Sequence, residues 1–155
     1  MQVYIMRHGE AEMFAATDSE RALNQQGINE VTKMGHFLSE KMTHLDYLLV
    51  SPYVRAQQTW QCLSSLLPKP EQTVELKELS PSGDEQAVVA LINELAIEKP
   101  MGKVLVISHL PLVGFLVDGL VPEVGAPLFS TAAVAELEIA AENSLLSLQH
   151  PVSLS

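Results

Sequence analysis

Apolar and polar positions alternate between two periods along this chain, and the alternation predicts strands and helices in turn. It opens on a β-branched and aromatic run, Gln2 to Met6, which reads as a strand and gives way to a polar loop from Arg7 to about Asn24. From Gln25 to Met42 the apolar residues Ile28, Val31, Met34, Leu38 and Met42 recur at the helical spacing, with Asn24 placed to cap the helix they predict. A short strand follows at 46–51. A Ser51-Pro52 turn then opens a helix from about Val54 to Leu67, stopped by the Pro68–Pro70 segment.

Residues 73–79 alternate as a strand does, and Asp84 is placed to cap a helix over 85–98. "KVLVIS", 103–108, is a continuous apolar run, the signature of a central strand covered on both faces. Pro111 to Leu120 reads as a short apolar helix, and 133–140 with 144–150 as a hairpin. The order predicts an α/β domain of three layers, αβα, with a largely parallel central sheet and an antiparallel edge. It fills residues 1–155 as a single unit.

Composition narrows the class. At 155 residues and 47% hydrophobic, the chain can bury one ordinary core. Nine basic against 19 acidic residues give a net charge of −10, which argues against nucleic acid and anionic membranes as partners. The lone cysteine, Cys62, excludes an internal disulfide framework and sits with Leu63 and Leu66 in a helical apolar pattern, so it reads as packing in a reducing, cytoplasmic setting. The opening residues lack the basic segment and long apolar run of an export signal. The apolar stretch from Val104 to Val121 is interrupted by His109, Pro111 and Asp118, which suits a buried strand and helix better than a membrane span.

In a parallel sheet, function gathers where the carboxyl ends of strands meet helix N-termini. Three predicted strand ends carry polar groups: Arg7-His8-Gly9, Ser51 with Arg55, and Ser108-His109. The chain has only three arginines, Arg7, Arg21 and Arg55, and lysine supplies the other basic residues. Two lie at those strand ends and Arg21 in the loop after the first. Arginine's rigid fork grips phosphate oxygens bidentately, so this gathering points to an oxyanion pocket. Glu10 and Glu12 form a carboxylate pair, but adjacent Arg7 would compete with a cation, and no metal is expected there. His36, His44 and His150 lack a partner motif and read as structural.

The segments "MRHGEAE", "LNQQG", "SPYVRAQQT" and "VLVISHLPLVGFL", in this order, resemble the motifs of the histidine phosphatase superfamily over residues 1 to about 120. Asn24 stands where that family usually has threonine, an exchange between two capping residues. Short length and the direct "MQVYIMRHGEAE" start look most like its small bacterial phosphohistidine phosphatases of the SixA type. The resemblance implies a phosphoglycerate-mutase-like fold and a metal-independent phosphatase without cofactor. It makes His8 the nucleophile, with Arg7 and Arg55 on the phosphoryl oxygens and His109, protonated or neutral, completing the pocket. Arg21 is a further phosphate contact, with Asp18 nearby to orient it.

Large members of the family place a general acid on an insertion before the last motif. Here the predicted elements fill residues 56–107, leaving no room for a lid. Glu78, then Asp18, are the candidates for a replacement acid. An imidazole leaving from phosphohistidine needs less help than an alkoxide, so the expected substrate is phosphohistidine on a phosphorelay, phosphotransfer or phosphocarrier protein. The alternatives are a phosphatase for a small phosphorylated metabolite and a catalytically silent phospho-binding module.

Overall fold

The computed structural model describes residues 1–154. Six strands form one sheet: β1 (Gln2–Arg7), β2 (Tyr47–Val50), β3 (Gln72–Glu75), β4 (Lys103–Ser108), β5 (Val134–Glu138) and β6 (Ser144–Gln149). Their order is β3-β2-β4-β1-β5-β6. Parallel pairs join β3, β2, β4 and β1, whereas β5 runs antiparallel to both β1 and β6. The parallel sheet with an antiparallel edge expected from the sequence is therefore present.

Alternation along the central strands divides the core in two. Tyr4, Met6, Leu48, Val50, Leu105 and Ile107 face α1 (Gln25–Ser39) and α2 (Val54–Ser64), packing on Val31, Met34, Leu38 and Leu63. The intervening Val3, Ile5, Leu49, Val104 and Val106 face α3 (Glu85–Glu98) and α4 (Leu112–Leu120). Both faces of β1, β2 and β4 are buried, which is why these strands are apolar throughout. The apolar stretch 104–121 divides into β4 and α4, and among the described residues no helix is long and apolar enough to cross a membrane.

Three boundaries differ from the sequence expectation. α1 stops at Ser39 and α2 at Ser64, yet Met42 and Leu67 stay buried, so the apolar period runs past the helix into a turn that still packs on the core. β3 ends at Glu75, and Lys77–Leu79 forms a one-turn helix that buries Leu79.

The loop after β1 is pressed onto α1. The Asn24 side chain caps that helix, accepting from Gly27 N at 2.8 Å, and Asn24 N donates to Glu10 O at 3.1 Å. A Cβ on Gly27 would lie 2.0 Å from the Glu10 carbonyl oxygen, so only glycine lets the two backbones touch. Gly27→Ala is expected to lower stability by about 1–3 kcal/mol in urea unfolding and to displace the loop that carries Gly9. An unchanged midpoint would show that this contact yields freely.

Candidate active site

β1, β2 and β4 end side by side. Arg7 pairs with Ser108 in the sheet, Ser51 N donates to Ile107 O, and His8 N donates to Ser108 O at 3.0 Å. His8, Arg55 and His109 converge at this edge and are 6%, 4% and 1% exposed. The polar residues read from three distant segments thus share one buried cluster.

His8 is held from both sides of its ring. Nδ1 lies 2.6 Å from the Gly9 carbonyl oxygen, which only accepts, so the proton sits on Nδ1. Nε2 accepts from Arg55 Nε at 3.2 Å, and a guanidinium only donates. Both neighbours demand the same tautomer. Thr59, fully buried on α2, ties the two sides together: its Oγ1 accepts from Gly9 N at 3.1 Å and donates to Arg55 O at 2.8 Å.

Arg55 is fixed further by Asp18, in the one-turn helix Asp18–Glu20. Nη1 donates to Asp18 O at 2.7 Å and Nη2 to Oδ2 at 3.2 Å. The other carboxylate oxygen, Oδ1, accepts from Arg21 Nε at 2.9 Å, and Arg21 also donates to Glu12 O. Partial burial raises the Asp18 pKa, but the hydrogen bonds and charges of Arg55 and Arg21 outweigh it and hold the carboxyl below its ordinary range. Arg7 donates through Nη1 to Phe129 O at 2.9 Å, while its Nε is buried without a partner.

His109 lies with its ring centroid 5.0 Å from that of His8 and 5.0 Å from that of Tyr53, which it meets edge-on. Its Nε2 is 2.7 Å from Ser51 Oγ, and its Nδ1 is buried without a partner. Burial pushes His8 down to about 4, with Arg55, Arg7 and Arg21 adding to the shift against the Gly9 hydrogen bond. Burial, then the neighbouring His8 and Arg55, pushes His109 down to about 2. Of the two states open to His109 the structure favours the neutral one: desolvation and nearby cations oppose a further charge, so both imidazoles are neutral near pH 7. Positive charge comes from the arginines, and two buried nitrogens, Arg7 Nε and His109 Nδ1, have no protein partner among the described residues.

Glu78 is not drawn into this network. It is half-buried in the turn Lys77–Leu79, and its carboxylate makes no hydrogen bond or ion pair to the cluster among the described residues. His44 pairs with Asp46 and His150 meets Ser130, both outside the cluster, while Cys62 packs against the α1/α2 core. Among the described residues no group of three or more His, Cys, Asp or Glu is placed to hold a metal. A concavity of about 1170 Å³ lies near Pro100, Leu120 and Ile139 and contains none of the cluster's groups.

Sequence reasoning missed Thr59, Tyr53 and Phe129. Thr59 lay in plain view inside "SPYVRAQQT", one helical turn beyond Arg55. Phe129 acts through its carbonyl, which no residue-type signal reveals.

The neutral histidines carry a linkage cost. Their folded pKa values lie below the unfolded value of about 6.5, so the unfolded chain binds more protons as pH falls below that value. Stability is expected to be flat above pH 6.5 and to decline between pH 6.5 and 4 in urea titrations, with a shallower decline in His109→Asn. Equal slopes for the two proteins would contradict a neutral, buried His109.

Residues 3–87 match the family model of the histidine phosphatase superfamily (branch 1). The phosphohistidine phosphatase SixA of Escherichia coli K12 is 42% identical over 139 residues, covering 90% of this chain and 86% of that protein. A solved structure of the protein histidine phosphatase SixA complexed with tungstate superposes with a TM-score of 0.93 at 39% identity, over 100% of both chains. A phosphoglycerate mutase from Bacillus anthracis, at 15% identity, shares the fold with a TM-score of 0.77 over 99% of this chain and 94% of that one. With its motif residues gathered at one edge of the sheet and its sequence matched over more than half its length, this chain belongs to the histidine phosphatase superfamily and is a phosphatase.

Proposed function

We propose that this protein hydrolyses phosphohistidine displayed on another protein, such as a phosphorelay, histidine-containing phosphotransfer or phosphocarrier domain, through a phosphoryl group carried on His8. The observation that carries this reading is the state of the His8 ring: its proton is held at Nδ1 by Gly9, and its Nε2 lone pair lies beside the guanidinium of Arg55. A neutral imidazole with one fixed tautomer is a nucleophile ready at pH 7.

Nε2 attacks phosphorus and the P–N bond to the substrate ring breaks, its electron pair returning to the leaving nitrogen. The substrate imidazole, protonated on its other nitrogen, departs neutral. His8 keeps its Nδ1 proton throughout, and the resulting cation is met by the Gly9 carbonyl. Water then attacks phosphorus, the P–Nε2 bond breaks and inorganic phosphate leaves. Arg55 gives up its bond to Nε2 for a phosphoryl oxygen, and the free donors Arg7 Nε and His109 Nδ1 take others. These donors meet the transferring charge without a metal.

Asp18, ionised between Arg55 and Arg21, orients the two arginines; a carboxyl held below its usual range is poorly suited to proton donation. Arg21 lies one carboxylate away from Arg55 and adds its charge at the rim. Glu78, next to Leu79, whose carbonyl accepts from Ser108 Oγ at 2.6 Å, is the remaining candidate acid for leaving groups that need a proton. A phosphohistidine needs little such help. Between Arg55 and Ser108 the chain builds only the rest of α2, β3, the turn 77–79 and α3, with no inserted lid among the described residues, which favours a substrate side chain displayed on another protein reaching the single unit of residues 1–155. Similarity to SixA supports the same substrate class.

Incubation with a histidine-phosphorylated phosphotransfer domain is expected to release phosphate, unchanged by EDTA, while 3-phosphoglycerate stays intact. His8→Ala should abolish turnover, and Arg55→Ala should lower kcat by about 10²–10³-fold, the usual loss for one donor to a developing oxyanion. Phosphate released only from 3-phosphoglycerate would instead make this a metabolite phosphatase, and tight binding of the phosphoprotein without turnover would make it a binding module.

A further inference from the structure

Ser51 directly follows β2 and is fully buried, and its Oγ has two neighbours: Tyr53 N donates to it at 3.2 Å, and His109 Nε2 lies 2.7 Å away. A hydroxyl carries one proton and two acceptor sites. If His109 donated from Nε2, Ser51 would accept twice and its own buried proton would be left without a protein partner. If Ser51 donates to Nε2, the hydroxyl is satisfied completely, and the His109 proton must sit on Nδ1. Nδ1 is the buried atom with no partner in the protein, on a ring 5.0 Å from that of His8.

We propose that Ser51 is a positioning residue: by donating to Nε2 it fixes the Nδ1–H tautomer of His109, so that a neutral imidazole presents an N–H donor to the phosphoryl oxygens at His8. The reverse tautomer would turn a lone pair toward those oxygens and repel them. Neutrality follows from burial among cations, so a tautomer, rather than a charge, is what His109 must have set for it. Tyr53 supports the arrangement from two sides, orienting Ser51 with its N–H and packing its ring edge against His109. The inference rests on the reading of the cluster as a phosphoryl pocket.

The test is the ¹⁵N spectrum of the imidazoles in the intact protein at pH 7. His109 is expected to show a protonated Nδ1 and an unprotonated Nε2 without ligand, and its Nδ1–H proton is expected to move downfield when inorganic phosphate is added. Ser51→Ala should abolish the single tautomer and lower kcat by about 10²-fold, in line with loss of one oxyanion donor, with a smaller effect on KM. Ser51→Thr, which keeps the hydroxyl, should restore both. A protonated Nε2 in the wild-type protein would overturn the proposal even if no variant folds, as would Ser51→Ala retaining the tautomer and kcat. Failure of the wild-type enzyme on phosphohistidine, with tautomer and phosphate response as expected, would overturn the substrate reading and leave the role of Ser51 standing.

Discussion

The hydrogen bond from His8 Nδ1 to the carbonyl of its own neighbour Gly9, 2.6 Å long, is the contact on which the rest of the site depends. It decides which ring nitrogen holds the proton and therefore which one attacks. A carbonyl reaches that position only because the backbone after β1 turns tightly against α1, where added Cβ atoms on Gly9 or Gly27 would collide with the facing backbone. Thr59 and the Asn24 cap anchor the same turn from two helices. Much of the packing between the loop and the α1/α2 layer can thus be read as support for one tautomer.

Burial gives this arrangement its force and sets its cost. Two imidazoles and three guanidiniums share a pocket in a chain of net charge −10, with Asp18 as the carboxylate paired to two of the arginines. Removing the imidazoles from water and placing them among cations makes both neutral, which in the proposed reaction leaves His8 free to act as nucleophile and His109 as hydrogen-bond donor rather than as two further charges. Arg7 Nε and His109 Nδ1 are buried without a protein partner, and in the proposed phosphoryl pocket both would face the oxygens of the transferring group.

The three-layer fold and the convergence of Arg7, His8, Arg55 and His109 were legible because side-chain type and spacing encode them. Apolar strands buried on both faces announce a parallel sheet, and a parallel sheet brings its carboxyl ends together. Features made by the backbone were not legible. The Gly9 and Phe129 carbonyls carry no sequence signal, and the helix ends at Ser39 and Ser64 were overrun because Met42 and Leu67 keep the apolar period after the helix has stopped. The neutral state of His109 was not legible for a related reason, since burial to 1% exposure is a property of the assembled pocket rather than of the segment "ISHLP".

If a backbone carbonyl selects Nε2 of His8 as the attacking atom, the position of the phosphoryl group in the trapped intermediate records that choice. Rapid acid-free quenching after mixing with a ³²P-labelled phosphohistidine protein, followed by alkaline hydrolysis and chromatography, distinguishes the two phosphohistidine isomers. The label is expected on Nε2 of His8. Label on Nδ1, or on any other residue, would contradict the account.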